Sequence, residues 1–169
     1  ARGLRVIDYF DSEELQIKNS VPTAEGAIAI AMNELPVTIQ GSRAAVIGYG
    51  RVGRTLADKL SALGARVTVA ARKGPDLAWA YTKMYDTLKI EIKNGKSSLH
   101  ALGMGYDVIF NTVPYWLFDG NILPSICDKT LIIDLASAPG GVDSRAAGEC
   151  GVKVIWALSL PGKYSPFTA

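Results

Sequence analysis

Histidine is almost missing from this sequence. His100 is its one imidazole, so any mechanism that needs two histidines is excluded. Its place between Leu99 and Ala101 in a short helical stretch suits a surface position better than a catalytic one. Cysteine is scarce as well. Cys127 and Cys150 lie far apart and form no CxxC pair, which indicates neither a disulfide framework nor a zinc site. Both read as buried, reduced thiols of a cytosolic protein, and no metal site is expected. No apolar run approaches the roughly 18 residues of a membrane span. The N-terminal Ala1-Arg2-Gly3-Leu4-Arg5 lacks the apolar core of a signal peptide, so no membrane association is expected. An excess of charge of one sign is also lacking. Eighteen Lys and Arg against 16 Asp and Glu leave a net charge of +2, too small and too scattered for a nucleic-acid surface. There is no initiator Met, and the chain stops abruptly at Thr168-Ala169. It therefore reads as a piece of a longer protein, cut at both ends.

The chain does have short apolar runs alternating with helical periods. Arg43 to Gly48, Ala65 to Ala71, Tyr106 to Val113, Thr130 to Ala136 and Val152 to Ala157 read as strands, with a weaker one through Thr87 to Ile92. Continuous rather than alternating apolar runs mark strands buried on both faces. Between them, Arg51 to Leu63 places Val52, Leu56, Leu60 and Leu63 on one helical face, with Gly64 as a stop. Helices are also expected over Asp76 to Tyr85 and Asp143 to Glu149, and short ones around Ser97 to Leu102 and over Asn121 to Cys127. Strand–helix–strand units of this length give a parallel sheet covered by helices. The fold class is an α/β, doubly wound parallel sheet of the Rossmann type, about six strands, with an extra N-terminal helix. Thr23 is read as that helix's cap, Glu25 as its first turn, and Ile28, Ala31, Met32 and Leu35 as its apolar face, ending at Pro36. Residues 1–40 are read as linker and helix and 41–169 as the nucleotide-binding domain. The helix either joins a preceding domain or simply packs on the sheet.

Gly48-Tyr49-Gly50-Arg51-Val52-Gly53 is a GxGxxG turn placed directly after a buried strand and opening an amphipathic helix. In that setting the pattern carries a mechanism. Gly48 permits the tight turn, Gly50 lets backbone approach a pyrophosphate, and Gly53 allows close helix–strand packing. The helix then offers its free N–H groups to the phosphates. An NAD enzyme usually ends its second strand in Asp or Glu to hold the ribose 2′-hydroxyl. Here the strand ends Ala70-Ala71-Arg72-Lys73, with no acid to repel a 2′-phosphate and two cations to pair with one. NADP is therefore the expected cofactor, with NAD as the alternative. Two other strand ends face the same crevice: Asn111-Thr112-Val113-Pro114, and Asp134-Leu135-Ala136-Ser137 followed by Pro139-Gly140-Gly141. Asp134 is read either as a ligand of the nucleotide or as a cap for the turn after it. No catalytic residue is assigned, because no paired carboxylates face the crevice.

Taken together, Asn19 to Gly26, Thr38 to Ser42, Gly48 to Gly53, Asn111 to Pro114, Asp134 to Gly141 and Leu158 to Lys163 resemble, in order, the A subunits of dipicolinate synthase. The resemblance implies a two-domain layout whose preceding domain is absent here, and a partner in the flavoprotein B subunit. It implies action in the cytoplasm of a sporulating mother cell, where dihydrodipicolinate is oxidised to the aromatic diacid. It places Gly48, Gly50, Arg51 and Gly53 on the pyrophosphate, Arg72 and Lys73 on the 2′-phosphate, and Asn111 to Pro114 beside the ribose and nicotinamide. Ser137 and the Leu158 to Gly162 loop lie toward the substrate, a dicarboxylate for which Lys163 is the one nearby cation. The tail from Lys163 to Ala169 departs from the family's pattern around Pro166. Homo-oligomer formation is left open.

The competing readings are a nucleotide-sensing regulatory module without chemistry and another NAD(P)-dependent dehydrogenase domain. A methyltransferase using the glycine turn for S-adenosylmethionine is disfavoured, since that class keeps an acid where Ala71-Arg72 stands.

Overall fold

The computed structural model describes residues 12–93, 96–103, 105–126 and 129–164, although the side chains of Lys93 and Lys96 are not among them. Cys127 and the tail from Ser165 onward lie outside the described residues. Among the described residues, eight strands and five α-helices follow in chain order: α1 (Glu13–Glu34), β1 (Arg43–Ile47), α2 (Arg51–Ala62), β2 (Arg66–Ala71), α3 (Gly74–Thr82), β3 (Asp86–Lys89), β4 (Ile92–Lys93), β5 (Lys96–Ser97), β6 (Val108–Asn111), β7 (Leu131–Asp134), α4 (Ser144–Glu149), β8 (Lys153–Trp156) and α5 (Leu160–Tyr164).

Six of the strands form one sheet in the order β3-β2-β1-β6-β7-β8, and every pairing in it is parallel. The chain builds outward from β1 to β3, then returns to the other side of β1 to lay down β6, β7 and β8. The reversal leaves a crevice between the carboxyl ends of β1 and β6, where such sheets bind ligands. Ala45 is in register with both Thr68 and Ile109, so the turn after β1 opens directly beside the turn after β6.

The apolar runs sort by side-chain alternation into two cores. Ala44, Val46, Val69, Phe110 and Ile133 pack with Leu56 and Leu60 of α2 and Ala27 and Ala31 of α1. Ala45, Ile47, Ile109 and Ile132 face the other way, against Leu99, Phe118 and Leu123. Burying one such Leu or Ile is worth roughly 1.5–3 kcal/mol, so each face of the sheet is anchored independently.

Several local expectations are corrected. The N-terminal helix begins well before Thr23: Ser12 caps it, accepting from the Leu15 N–H, and Pro22 sits inside it. Thr23 is an interior residue whose hydroxyl donates to the Asn19 carbonyl at 2.7 Å. The proline misled because it cannot supply the N–H that a helix interior asks of it. Of the expected apolar face, Ile28 and Ala31 are buried but Met32 is exposed. The stretch expected as one strand over 87–92 divides into β3 and a small antiparallel pair, β4 with β5. The short helices expected around 97–102 and over 121–127 are present as 3₁₀ helices, Ser98–Leu102 and Leu123–Ser125. Cys150 is a free thiol, but it is half-buried at the end of α4 rather than enclosed.

Helix α1 packs against α2 and α5. Gly26 makes the second contact close, because a Cβ there would stand 3.0 Å from the Tyr164 ring and 3.1 Å from Leu160 Cβ. Ser20 and Thr55 share a hydrogen bond of 2.7 Å between α1 and α2. Ion pairs Glu13–Arg51 and Glu25–Lys59 join the same two helices, and Glu34–Lys153 reaches the edge strand. Exposed pairs like these contribute about 1 kcal/mol or less each. The packing, more than the pairs, holds α1.

Candidate functional site

The glycine turn is shaped by three close approaches. Gly48 sits at φ +93°, and a Cβ there would meet Thr112 Oγ1 at 2.5 Å and Val113 Cγ2 at 2.8 Å. A Cβ on Gly53 would be driven into the Gly48 carbonyl oxygen, so the first turn of α2 lies directly on the turn that precedes it. Around Gly50 there is nothing within 4 Å of such an atom; that side faces open space. Gly50 is also the N-cap of α2, with no side chain accepting from the first turn and no acidic residue within it. A twelve-residue helix thus presents uncapped N–H groups and a positive dipole end to the crevice. Thr112 fixes the opposite lip, its N–H and its hydroxyl both donating to the Ile47 carbonyl at 2.9 Å.

A cleft of about 420 Å³ opens from this point. It is lined by Gly48, Tyr49, Gly50, Ala71, Arg72, Lys73, Asp76, Ile90, Ile92, Thr112, Val113, Pro114, Tyr115 and Leu117. Nine residues expected at the site from sequence are among them: Gly48, Tyr49, Gly50, Ala71, Arg72, Lys73, Thr112, Val113 and Pro114. Arg51 lines an adjoining cleft toward α1, which shares Tyr49, Gly50, Lys73 and Asp76 with the first. Val52 and Gly53 stand behind the turn in α2. Arg72 and Lys73 are exposed at the end of β2, and among the described residues neither is held in an ion pair.

Asn111 and Asp134 are placed differently. Both side chains are buried and satisfy one another, with Asn111 Nδ2 donating to Asp134 Oδ1 at 2.8 Å and to the Val113 carbonyl at 3.1 Å. Asp134 also accepts from the Ala136 N–H at 3.1 Å and, through Oδ2, from the Gly141 N–H at 2.8 Å. Of the two readings of Asp134, the structure favours the cap: the carboxylate closes the turn over 134–141 and ties it to β6. Ala136, Ser137 and Leu158 do not line the cleft. Lys163 lies exposed on α5, which packs on α1, and does not line it either.

Arg54 and Asp76 were not anticipated from sequence. Arg54 Nε donates to the Tyr49 carbonyl at 3.0 Å, its guanidinium stands 5.3 Å from the centre of the Tyr49 ring, and Nη2 pairs with Asp76 Oδ1 at 3.0 Å. Only the position of Arg54, directly after the last glycine, hinted at a role. Tyr49 is buried beneath this clasp. Burial, then the negative charge of Asp58, push its phenol above the ordinary tyrosine range. Tyr85 shifts the same way through burial and the 2.6 Å hydrogen bond it donates to Asp58. Both phenols stay neutral at physiological pH and pack as apolar rings.

A glycine turn against an open helix end, at the switch point of a parallel sheet, defines a dinucleotide-binding domain. The chain belongs to the family of D-isomer specific 2-hydroxyacid dehydrogenase NAD binding domains, whose model matches residues 8–115. That is an oxidoreductase family with a nicotinamide dinucleotide cofactor. Within it, the resemblance to dipicolinate synthase A subunits holds. The chain is 39% identical over 171 residues to the dipicolinate synthase A subunit of Bacillus subtilis (strain 168), covering 98% of this chain and 54% of that protein. The crystal structure of the Bacillus halodurans A subunit superposes with a TM-score of 0.88 at 37% identity, over 96% of this chain and 54% of that one. The crystal structure of the Bacillus subtilis protein gives 0.86 at 38%, over 96% and 52%. A transhydrogenase from Sinorhizobium meliloti shares the fold alone, with a TM-score of 0.73 at 14% identity over 91% and 52%. The chain spans about half the length of these relatives. Among the described residues, no helix is long and apolar enough to cross a membrane, and no three His, Cys, Asp or Glu side chains are grouped to hold a metal.

Proposed function

We propose that this chain is the nucleotide-binding part of a dipicolinate synthase A subunit, and that its cleft holds NADP in preference to NAD. The observation that carries the preference is the end of β2, where Arg72 and Lys73 stand exposed, without an ion-pair partner among the described residues, and no acid ends the strand. The Gly48–Gly53 turn fits a pyrophosphate: Gly50 leaves its approach open, and the uncapped start of α2 supplies donors. Ile90, Ile92 and Pro114 give the cleft apolar surface for adenine, and Arg72 would lie across its face. Thr112 and Val113 hold the ribose and nicotinamide side.

The dinucleotide that the Gly48–Gly53 turn, Arg72 and Lys73 would hold supplies a hydride acceptor: a ring carbon of dihydrodipicolinate would lose a hydride to it and a neighbouring ring position would lose a proton to solvent, leaving the aromatic diacid. This chain's part is to orient the dinucleotide and to keep its phosphates neutralised. Residues 1–40 serve as linker and helix and residues 41–169 as the nucleotide domain. The rest of the full-length protein, about as long again in the relatives, would supply a second domain that closes the cleft and grips the substrate carboxylates. The flavoprotein B subunit, with the cytoplasm of a sporulating mother cell, completes the proposal. With no acid–base pair at the cleft, this chain alone is expected to bind nucleotide and turn over nothing. The full-length protein with its flavoprotein partner is expected to convert dihydrodipicolinate with NADP, read by the absorbance of the aromatic product. Robust turnover by residues 1–169 alone would place the chemistry elsewhere.

A further inference from the structure

The acid missing from the end of β2 has a substitute nearby. Asp76 enters the same cleft from the first turn of α3, three residues beyond Lys73. It also borders the adjoining cleft that Arg51 and Arg54 line. A free carboxylate there would act on a 2′-phosphate much as the usual strand-end acid does, through like-charge repulsion. It is not free, because Arg54 pairs with it at 3.0 Å. The same guanidinium is anchored on Tyr49 by the hydrogen bond to its carbonyl and by the ring below it. These contacts hold the Arg54 guanidinium where it neutralises Asp76.

We propose that Arg54 and Asp76 form a charge gate that sets the choice between NADP and NAD. Asp76 opposes the 2′-phosphate, and Arg54 lifts that opposition by pairing with it. Arg54 is thus a positioning residue for specificity, distinct from Arg72 and Lys73, which meet the phosphate. The inference rests on the nucleotide assignment made above.

The pair predicts a pattern that a direct phosphate contact by Arg54 would not give. In Arg54→Gln, an uncompensated Asp76 is expected to weaken NADP binding about tenfold while NAD changes less than about twofold, the scale of one charge interaction near a surface. In Arg54→Gln/Asp76→Asn, NADP affinity is expected to return to within about twofold of the unsubstituted chain. Asp76→Asn alone is expected to raise the NADP-to-NAD affinity ratio about threefold. The Arg54→Gln effect should also shrink in about 1 M salt, where the screening length is near 3 Å.

Titration of both nucleotides into the three variants decides the matter. Loss of NADP without rescue by Asp76→Asn would overturn the gate and make Arg54 a phosphate ligand. Equal loss of NAD and NADP would overturn it in favour of a role in shaping the Tyr49 turn. Should Arg54→Gln not fold, an unchanged ratio in Asp76→Asn would overturn it by itself. Failure of the unsubstituted chain to bind either nucleotide would instead remove the nucleotide assignment.

Discussion

Replacing Gly53 by alanine is expected to destroy the site and to destabilise the domain by about 3 kcal/mol, the upper end for overpacking. The added methyl would be driven into the Gly48 carbonyl oxygen, a backbone atom. Relief cannot come from a rotamer change. Gly48 is itself pinned, its N–H donating to the Ala70 carbonyl at 2.8 Å and its other face closed by Thr112 and Val113. The first turn of α2 must therefore swing away from β1, and the N–H groups aimed at the crevice go with it. Nucleotide affinity should fall by more than about a hundredfold, since several charge-assisted bonds of roughly 1.5–3 kcal/mol each lose their geometry together. Denaturant unfolding and nucleotide titration of the variant check the two halves. Gly50→Ala provides the contrast: nothing in the protein obstructs a Cβ there, so it should weaken nucleotide binding with little loss of stability.

The second large effect is expected at Asp134, and there it should fall mainly on stability. Asp134→Ala removes one of the two bonds that the Asn111 side-chain amide donates and strands the Ala136 and Gly141 N–H groups in a buried setting. An unsatisfied buried donor costs about 1–3 kcal/mol, and three that share one acceptor are not additive. A total of roughly 3–5 kcal/mol is expected. Asp134→Asn keeps the size and an acceptor oxygen but must turn an NH₂ toward one of three donors, so a smaller loss is expected. Purified Asp134→Ala that remains folded should still bind nucleotide, because the side chain does not enter the cleft. If it is fully stable yet unable to bind, Asp134 is a ligand and the cap reading fails.

These two residues show what could be read in the sequence and what could not. The Gly48–Gly53 turn was legible because everything that defines it is local: a buried strand before it, an amphipathic helix after it, and glycines at fixed spacing. The Arg72-Lys73 pair was legible for the same reason, as the end of the next strand. Parallel order and two-sided burial followed from strands written as continuous apolar runs, and Val46 with Ile47 divides between the two cores as such a run requires. Asp134 could only be left open, because the turn it closes is local but its partner Asn111 lies 23 positions earlier, at the end of a strand that the fold lays beside β7. Arg54 and Asp76 were missed because they are 22 positions apart, and their contact exists only once β2 is laid beside β1. The start of α1 was misplaced because Asn19, Ser20 and Pro22 are residues that usually open a helix, whereas here they lie inside one that packing on α2 sustains.

The central claim is that this cleft binds a nicotinamide dinucleotide and recognises its 2′-phosphate through Arg72 and Lys73. Calorimetric titration of the chain with NADP and with NAD, repeated on Arg72→Ala/Lys73→Ala, tests it most directly. The account predicts one saturable site, with NADP bound about tenfold to a hundredfold more tightly than NAD, the worth of one charge-assisted phosphate contact. In the double variant that advantage should vanish while NAD affinity holds. Equal affinities in the unsubstituted chain, or a preference for NADP that survives loss of both cations, would contradict it.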